Sequence, residues 1–169
     1  MNDHDNAVTD ANPISEQQGN RLNAETWSEL KCRYTEDPPI LGFLQLCADR
    51  RFHRCIQEKL QEHAKLPSRE AYWIHADAGG TPRMADQKLA PNYCYFDQNV
   101  RLMGWSAHGD KCGGFPNIPD SEIEELLLET VADKVLDYPE ARHFVYFATI
   151  VKTGDVDDAV VHCRAYEPL

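Results

Sequence analysis

The sequence predicts an α+β protein with a single domain, in which an antiparallel or mixed β-sheet of about five strands packs against two or three helices. Three observations favour this fold. The hydrophobic period is close to 3.6 residues over residues 41–66 and 121–138, and it is close to 2 over residues 72–77. The connections between these segments are short, which favours antiparallel pairing. With 169 residues, 42% of them hydrophobic, the chain suits one core.

The N-terminal third is predicted to be a tail followed by helices. Residues 1–23 are polar and show no periodicity, so they predict a flexible tail ahead of a domain over residues 24–169. Residues 24–34 predict a short helix. Residues 41–66 predict one amphipathic helix, because apolar residues recur every three to four positions until Pro67.

The middle of the chain predicts strands. Alternation over residues 72–77 predicts a strand that ends before two glycines. Residues 93–96 and 100–105 are rich in aromatic and branched side chains, and they predict a β-hairpin. Residues 106–119 are rich in Gly and Pro, and they predict a long loop of the kind that often carries function.

The C-terminal third predicts one helix and two strands. Ser121 and Glu124 match a capping box at the start of a helix that should end before Pro139. Residues 143–151 are apolar on both faces and predict a central strand. Residues 159–166 predict a final strand, joined to it by a turn.

The charge of the chain argues against one class of partner. The net charge is -11, and residues 115–169 hold 12 acidic and 4 basic residues. Because affinity for nucleic acid comes mainly from basic residues that neutralise phosphates, we expect no direct nucleic-acid binding. The longest apolar run is far short of the roughly 20 residues that cross a bilayer, and the N-terminus does not match a secretory signal, so we expect a cytoplasmic protein without a membrane partner.

The polar residues between positions 75 and 115 form the best candidate site. Six of the nine glycines lie between residues 79 and 114, where they allow close approach to the backbone. Imidazole, carboxylate and thiolate groups in this segment are the usual ligands of zinc and related divalent metals. The predicted metal ligands are His75, Asp77, His108, Asp110 and Cys112.

The same segment suggests two further roles. Cys112 could act as a nucleophile with His108, His75 or His143 as its base, since a thiolate needs a nearby imidazole or positive field. Arg83 is predicted to hold an anion and Trp105 to form an apolar wall. The predicted ligand-binding residues are Arg83, Trp105, Ser106, Gly113 and Gly114.

One short stretch resembles a known zinc site. The segment His108-Gly-Asp-Lys-Cys112-Gly-Gly resembles the zinc-ligand stretch of beta-class carbonic anhydrases, in which the histidine and cysteine are one residue closer together. That family also has an upstream element of Cys, then Asp, then Arg. The nearest upstream acid, Asp77, lies in His75-Ala-Asp77-Ala-Gly and supplies no such element, so we do not assign the family from the sequence.

Two classes of function therefore stay open. The first is a polar Gly-rich cleft between the His75 strand and the loop from Trp105 to Phe115, which would bind a small ligand or a metal such as zinc and could belong to a metal-dependent enzyme. The second is a non-enzymatic, inhibitor-like or immunity-like module that binds a basic protein through the acidic C-terminal third.

Overall fold

The computed structural model describes residues 39–152 and 159–166, and the residues from Pro39 onward form one compact unit. The predicted tail, the predicted helix over residues 24–34 and most of the predicted turn after residue 152 lie outside the described residues. The strands are β1 (Gly42–Cys47), β2 (Tyr72–Asp77), β3 (Leu102–His108), β4 (Arg142–Lys152) and β5 (Ala159–Tyr166), and the α-helices are α1 (His53–Ala64), α2 (Leu89–Asn92) and α3 (Asp120–Asp137).

The five strands form one mixed sheet, which confirms the predicted fold class. The strand order is β2-β1-β3-β4-β5. The first four strands are parallel, and β5 is antiparallel to β4. Parallel neighbours require crossover connections, and α1 provides the one from β1 to β2. Among the described residues, no helix combines the length and hydrophobicity needed to cross a membrane.

The two faces of the sheet have separate cores. On one face, Phe43 and Trp105 pack in a cluster with residues of α3 such as Leu127. On the other face, Leu44 packs in a cluster with residues of α1 such as Leu60. The central strands are therefore covered on both sides, as parallel strands usually are.

This double burial explains the largest error in the sequence prediction. The single helix predicted over residues 41–66 is wrong, because its first part is β1 and only His53–Ala64 is helical. All six residues of β1 are buried. A strand that is buried on both faces has no alternation of polar and apolar residues, so its apolar residues resemble the apolar stripe of a helix.

Two other predicted elements differ from the structure. The predicted hairpin is wrong, because residues Tyr93–Asp97 form a π-helical turn and Leu102–His108 is a strand parallel to β1. The predicted loop after residue 105 begins too early, since β3 continues to His108. Helix α3 is confirmed, but the capping box is wrong: the helix begins at Asp120 after Pro119, without a side-chain cap.

Candidate metal centre

Adjacent parallel strands bring three metal-ligand side chains together. Cys47 is the last residue of β1, His108 is the last residue of β3, and Cys112 lies in the loop that follows β3. Because β1 and β3 are parallel neighbours, their C-terminal ends meet at one edge of the sheet. One ligand atom from each residue lies within 4.8 Å of the other two, and all three side chains are buried.

The spacing of these atoms fits zinc. The Sγ atoms of Cys47 and Cys112 are 3.9 Å apart. A tetrahedral zinc ion with bonds of about 2.3 Å to sulfur would hold two thiolates about 3.8 Å apart. Two thiolates and an imidazole are also the donor types that select zinc over hard cations such as magnesium.

The orientation of His108 leaves one nitrogen free for a metal. Its Nδ1–H donates to the Gly109 carbonyl at 2.6 Å, so Nε2 carries the lone pair. Among the described residues, Nε2 is buried without a hydrogen-bonding partner. The ring of Phe52 stacks on the imidazole at 4.2 Å between centroids. A buried acceptor without a donor is costly, and a metal ion at this position would satisfy it.

The surroundings of the two thiols shift their pKa values in opposite directions. Burial would raise the pKa of Cys47, but His108 and the amides of Asp49 and Gly79 lower it to about 7. Burial is the main cause that raises the pKa of Cys112. Burial also opposes protonation of His108, yet the Cys47 sulfur and the Gly109 carbonyl together raise its pKa. The site therefore already favours one thiolate, the form that binds metals.

A carboxylate and a guanidinium flank the three ligands. Arg51 donates to both carboxylate oxygens of Asp49, from Nε at 3.1 and 3.0 Å and from Nη2 at 2.6 Å. Asp49 Oδ2 is 3.8 Å from His108 Nε2. The hydrogen bonds from Arg51 are the main cause that lowers the pKa of Asp49, so the carboxylate is ionised at neutral pH. Arg51 therefore holds the ionised Asp49 carboxylate beside His108.

Arg51 also links the segment after β1 to the loop that carries Cys112. Its Nη2 donates to the Asp110 carbonyl at 3.2 Å, and its Nη1 lies 3.4 Å from Asp110 Oδ2. The residue therefore joins the segment after β1 to the segment after β3. Its guanidinium also lies 5.1 Å from the ring centroid of Phe52, which stacks on His108.

Three residues of this site, Cys47, Asp49 and Arg51, are not among the residues predicted from the sequence. The order Cys, then Asp, then Arg is present in Cys47-Ala48-Asp49-Arg50-Arg51, which corrects the conclusion that this upstream element has no match. Residues 47–51 lie inside the helix predicted over residues 41–66, which hides this element, although the order of residue types itself is visible in the sequence.

Two predicted metal ligands lie on the edge strand β2, outside the cluster that the structure shows. His75 Nδ1 contacts the Gln45 side chain at 3.3 Å. Asp77 is exposed and accepts hydrogen bonds from the Ala78 amide and the Gln87 side chain. The third, Asp110, is bonded by Arg51 rather than grouped with the ligand atoms of the cluster.

Trp105 and Ser106 have packing roles on β3. The indole of Trp105 is fully buried in the core, and its N–H donates to His143 Nδ1 at 2.9 Å. The buried Ser106 hydroxyl donates to the Gln45 carbonyl at 2.7 Å.

The remaining predicted residues shape the loop that carries Cys112. Arg83 Nε donates to the Gly114 carbonyl at 2.9 Å, and its guanidinium lies 4.9 Å from the ring centroid of Phe115. Gly114 lies against the backbone of Gly79, where a β-carbon would collide, while Gly113 has open space around it.

Comparison with known proteins gives only remote likenesses. No protein family matches the sequence, and no curated protein matches it. One similar solved structure is the beta-carbonic anhydrase CcaA, at 9% identity and a TM-score of 0.45, covering 86% of this chain and 89% of that chain. Another is the carbonic anhydrase from Glaciozyma antarctica, at 14% identity and a TM-score of 0.41, covering 73% and 89%. Neither likeness is close enough to assign an activity, so the site must be interpreted from its own residues.

Proposed function

We propose that Cys47, His108 and Cys112 bind a zinc ion, and that the chain is a zinc-dependent enzyme that adds water to a small electrophile, with carbon dioxide as the first candidate. The convergence of these three buried donors carries the proposal. Structural zinc sites usually have four Cys or His ligands, whereas catalytic sites have three protein ligands and one open position. Among the described residues, the cluster contains three such ligands.

Zinc at this position would supply a Lewis acid that activates water at neutral pH. The ionised carboxylate of Asp49 can only accept hydrogen bonds, so it can orient a reacting water from its place beside His108. Arg51 fixes that carboxylate through three hydrogen bonds. Burial of the ligands excludes bulk water and strengthens these electrostatic interactions.

The surroundings also orient the ligands. The Gly109 carbonyl fixes the tautomer of His108, which is the usual role of a second hydrogen bond to a metal-binding imidazole. The Gly79 amide donates to the Cys47 sulfur at 3.4 Å, which stabilises a thiolate. Arg83 and Gly114 fix the path of the loop that carries Cys112.

Carbon dioxide is favoured by the resemblance of two segments. Residues 47–51 and 108–114 together resemble the zinc-ligand elements of beta-class carbonic anhydrases. This chain differs by one additional residue between His108 and Cys112. Asp110 and Lys111 accommodate the longer loop in left-handed backbone conformations, with φ values of 55° and 62°.

The proposal is tested by metal content and by stopped-flow measurement of carbon dioxide hydration. We expect close to one zinc per chain in the wild type. We expect loss of both metal and activity in Cys112→Ala, with neither lost in Cys163→Ala, a matched control because Cys163 is not among the clustered ligands. If wild-type protein purified from zinc-containing medium holds no metal, the proposed zinc site is rejected. Stoichiometric zinc without hydration activity would retain the site and reject the reaction.

The alternative function, binding of a basic protein, stays a prediction. The exposed face of α3 includes Glu122, Glu125, Glu129 and Asp133, as expected for a solvated helix. The acidic residues at 155–158 lie outside the described residues.

A further inference from the structure

The outer edge of β2 is an unprotected strand edge. In the strand order β2-β1-β3-β4-β5, β2 pairs with β1 on one side only. Edge strands present a row of free backbone groups to other chains, and many proteins block that row with Lys, Pro or a bulge. Strand β2 contains neither Lys nor Pro, and its six residues pair with β1 in unbroken register. Within the described part of the chain, the edge is therefore open to another strand.

Three residues of β2 direct their backbone groups outward. The Asp77 carbonyl accepts a hydrogen bond from the Ala48 amide, which follows β1, so the backbone of Asp77 faces β1. Successive residues of a parallel strand direct their N–H and C=O groups to opposite sides. The backbone groups of Tyr72, Ile74 and Ala76 therefore point away from β1. The hydrogen bonds of the described residues leave these three N–H and three C=O groups free.

These six free groups match those of a second copy of the same strand. If two copies of β2 run antiparallel about a twofold axis through Ile74, Tyr72 of each copy lies opposite Ala76 of the other. In an antiparallel pair, residues that exchange both hydrogen bonds alternate with residues that exchange none. All six groups of each copy then bond, and the two five-stranded sheets become one.

The side chains of β2 suit the same arrangement. Trp73 and Ile74 are large and apolar, yet they are 42% and 38% exposed. They lie on opposite faces of the sheet because side chains alternate along a strand. In the antiparallel register, Ile74 contacts its own counterpart, and Trp73 packs on His75 of the second copy. Tyr93, whose ring centroid is 5.7 Å from that of Trp73, extends the apolar surface. Such cross-strand pairs stabilise a sheet.

The distribution of charge favours association at this edge. Residues 115–169, which include β4 and β5 at the other end of the sheet, hold 12 acidic and 4 basic residues. Residues 39–114 hold 8 acidic and 10 basic residues. Two acidic chains repel each other least where their acidic parts are farthest apart. Asp77, the carboxylate of β2, would be about 20 Å from its counterpart at 3.3 Å per residue.

We infer that β2 is a dimerisation edge, at which two copies of this chain pair their β2 strands antiparallel with Ile74 on the twofold axis. A second copy is the partner that this edge fits, because one register uses every free backbone group and joins the apolar side chains. The inference does not depend on the proposed zinc site, since the clustered ligands are Cys47, His108 and Cys112 and none of them lies on β2.

Sedimentation velocity of the full chain tests the inference at protein concentrations from about 1 to 100 µM, where small interfaces associate. We expect a monomer–dimer equilibrium in the wild type. Ile74→Lys should weaken dimerisation at least about tenfold, because two like charges would lie directly opposite each other. Leu136→Lys is the matched control on α3, since Leu136 is 79% exposed and distant from β2 in sequence, and it should leave the dimer unchanged.

Disulfide cross-linking tests the register. Trp73 of one copy and His75 of the other form a pair without hydrogen bonds, with Cα atoms about 4.5 Å apart, close enough for a disulfide. A mixture of Trp73→Cys and His75→Cys chains, oxidised with glutathione disulfide, should therefore form a mixed covalent dimer. Either variant alone should not, because each position is about 8 Å from its own counterpart, beyond the limit of about 7 Å. Peptide mapping identifies the linked residues.

The other outcomes reject the inference. If the wild type sediments as a monomer at every concentration, β2 is not a dimerisation edge. If folded Ile74→Lys dimerises like the wild type, the interface lies elsewhere, and if Leu136→Lys dissociates as readily, the effect is one of general charge. If either single variant cross-links as well as the mixture, the register is wrong. Should Ile74→Lys fail to fold, the cross-links decide the question.

Discussion

Arg51→Gln should weaken zinc binding while leaving the fold almost unchanged. Arg51 donates to both oxygens of Asp49 and to the carbonyl of Asp110, so its removal frees the segment that follows Cys47 from the loop that carries Cys112. Loss of residues that orient metal ligands typically reduces metal affinity by about 10- to 100-fold, or about 1.4–2.7 kcal/mol. Because the Arg51 side chain is 47% exposed, we expect its ion pairs to add at most about 1 kcal/mol to the free energy of unfolding.

Competition with a chromophoric zinc chelator measures this affinity. Arg54→Gln is the matched control, since Arg54 lies three residues further on in α1, where its described polar contact is the exposed ion pair with Glu58. Arg51→Lys should recover only part of the affinity, because lysine keeps the charge but cannot form the two-pronged contact with Asp49. The explanation fails if Arg51→Gln binds zinc within twofold of the wild type, or if Arg54→Gln loses as much affinity.

Three further predictions concern the loop, the core and pH. Gly114→Ala should lower zinc affinity, because the added β-carbon would collide with the backbone of Gly79. Gly113→Ala should leave the affinity unchanged, because the described residues leave open space there. Competition with a zinc chelator measures the affinity of both variants. Leu60→Ala should lower the free energy of unfolding by about 2–5 kcal/mol, and Leu136→Ala by less than about 0.5 kcal/mol, as measured by urea denaturation; similar losses in both would contradict the assigned core. Burial holds the pKa of His143 below its usual value. The stability gained from neutral His143 is therefore fully present above the unfolded-state pKa of about 6.5, and it is lost as the pH falls below that value through the lower pKa of the folded state. His143→Gln should flatten that pH dependence in urea titrations, and an unchanged dependence would reject the assignment.

The sequence predicted the elements whose pattern is local. Helix α3 shows a helical period, and β2 and β5 have alternating or strand-rich sequences, so each was placed within a few residues. Strand β1 was not predicted, because burial on both faces removes the alternation of polar and apolar residues that marks a strand. Because the predicted helix over residues 41–66 includes residues 47–51, the sequence alone did not identify the segment from Cys47 to Arg51 as part of the site.

The candidate site was predicted only in part for a related reason. His108 and Cys112 are neighbours in sequence and could be grouped by composition. Cys47 joins them only through the pairing of β1 with β3, which depends on tertiary structure. His75 and Asp77 have the same ligand types as His108 and Cys112, but they lie on the edge strand β2, and the structure does not group them with Cys47, His108 and Cys112.

The separation of the ligands along the chain determines when the site can form during synthesis. Cys47 and Cys112 are 65 residues apart, and β3 must pair with β1 before their sulfur atoms meet. At about 5–20 residues per second, a ribosome needs several seconds to add the intervening chain. Throughout that interval Cys47 has neither of its partner ligands. The proposed zinc site therefore cannot form in the growing N-terminal half, and zinc binding there would have to follow the pairing of β3 with β1.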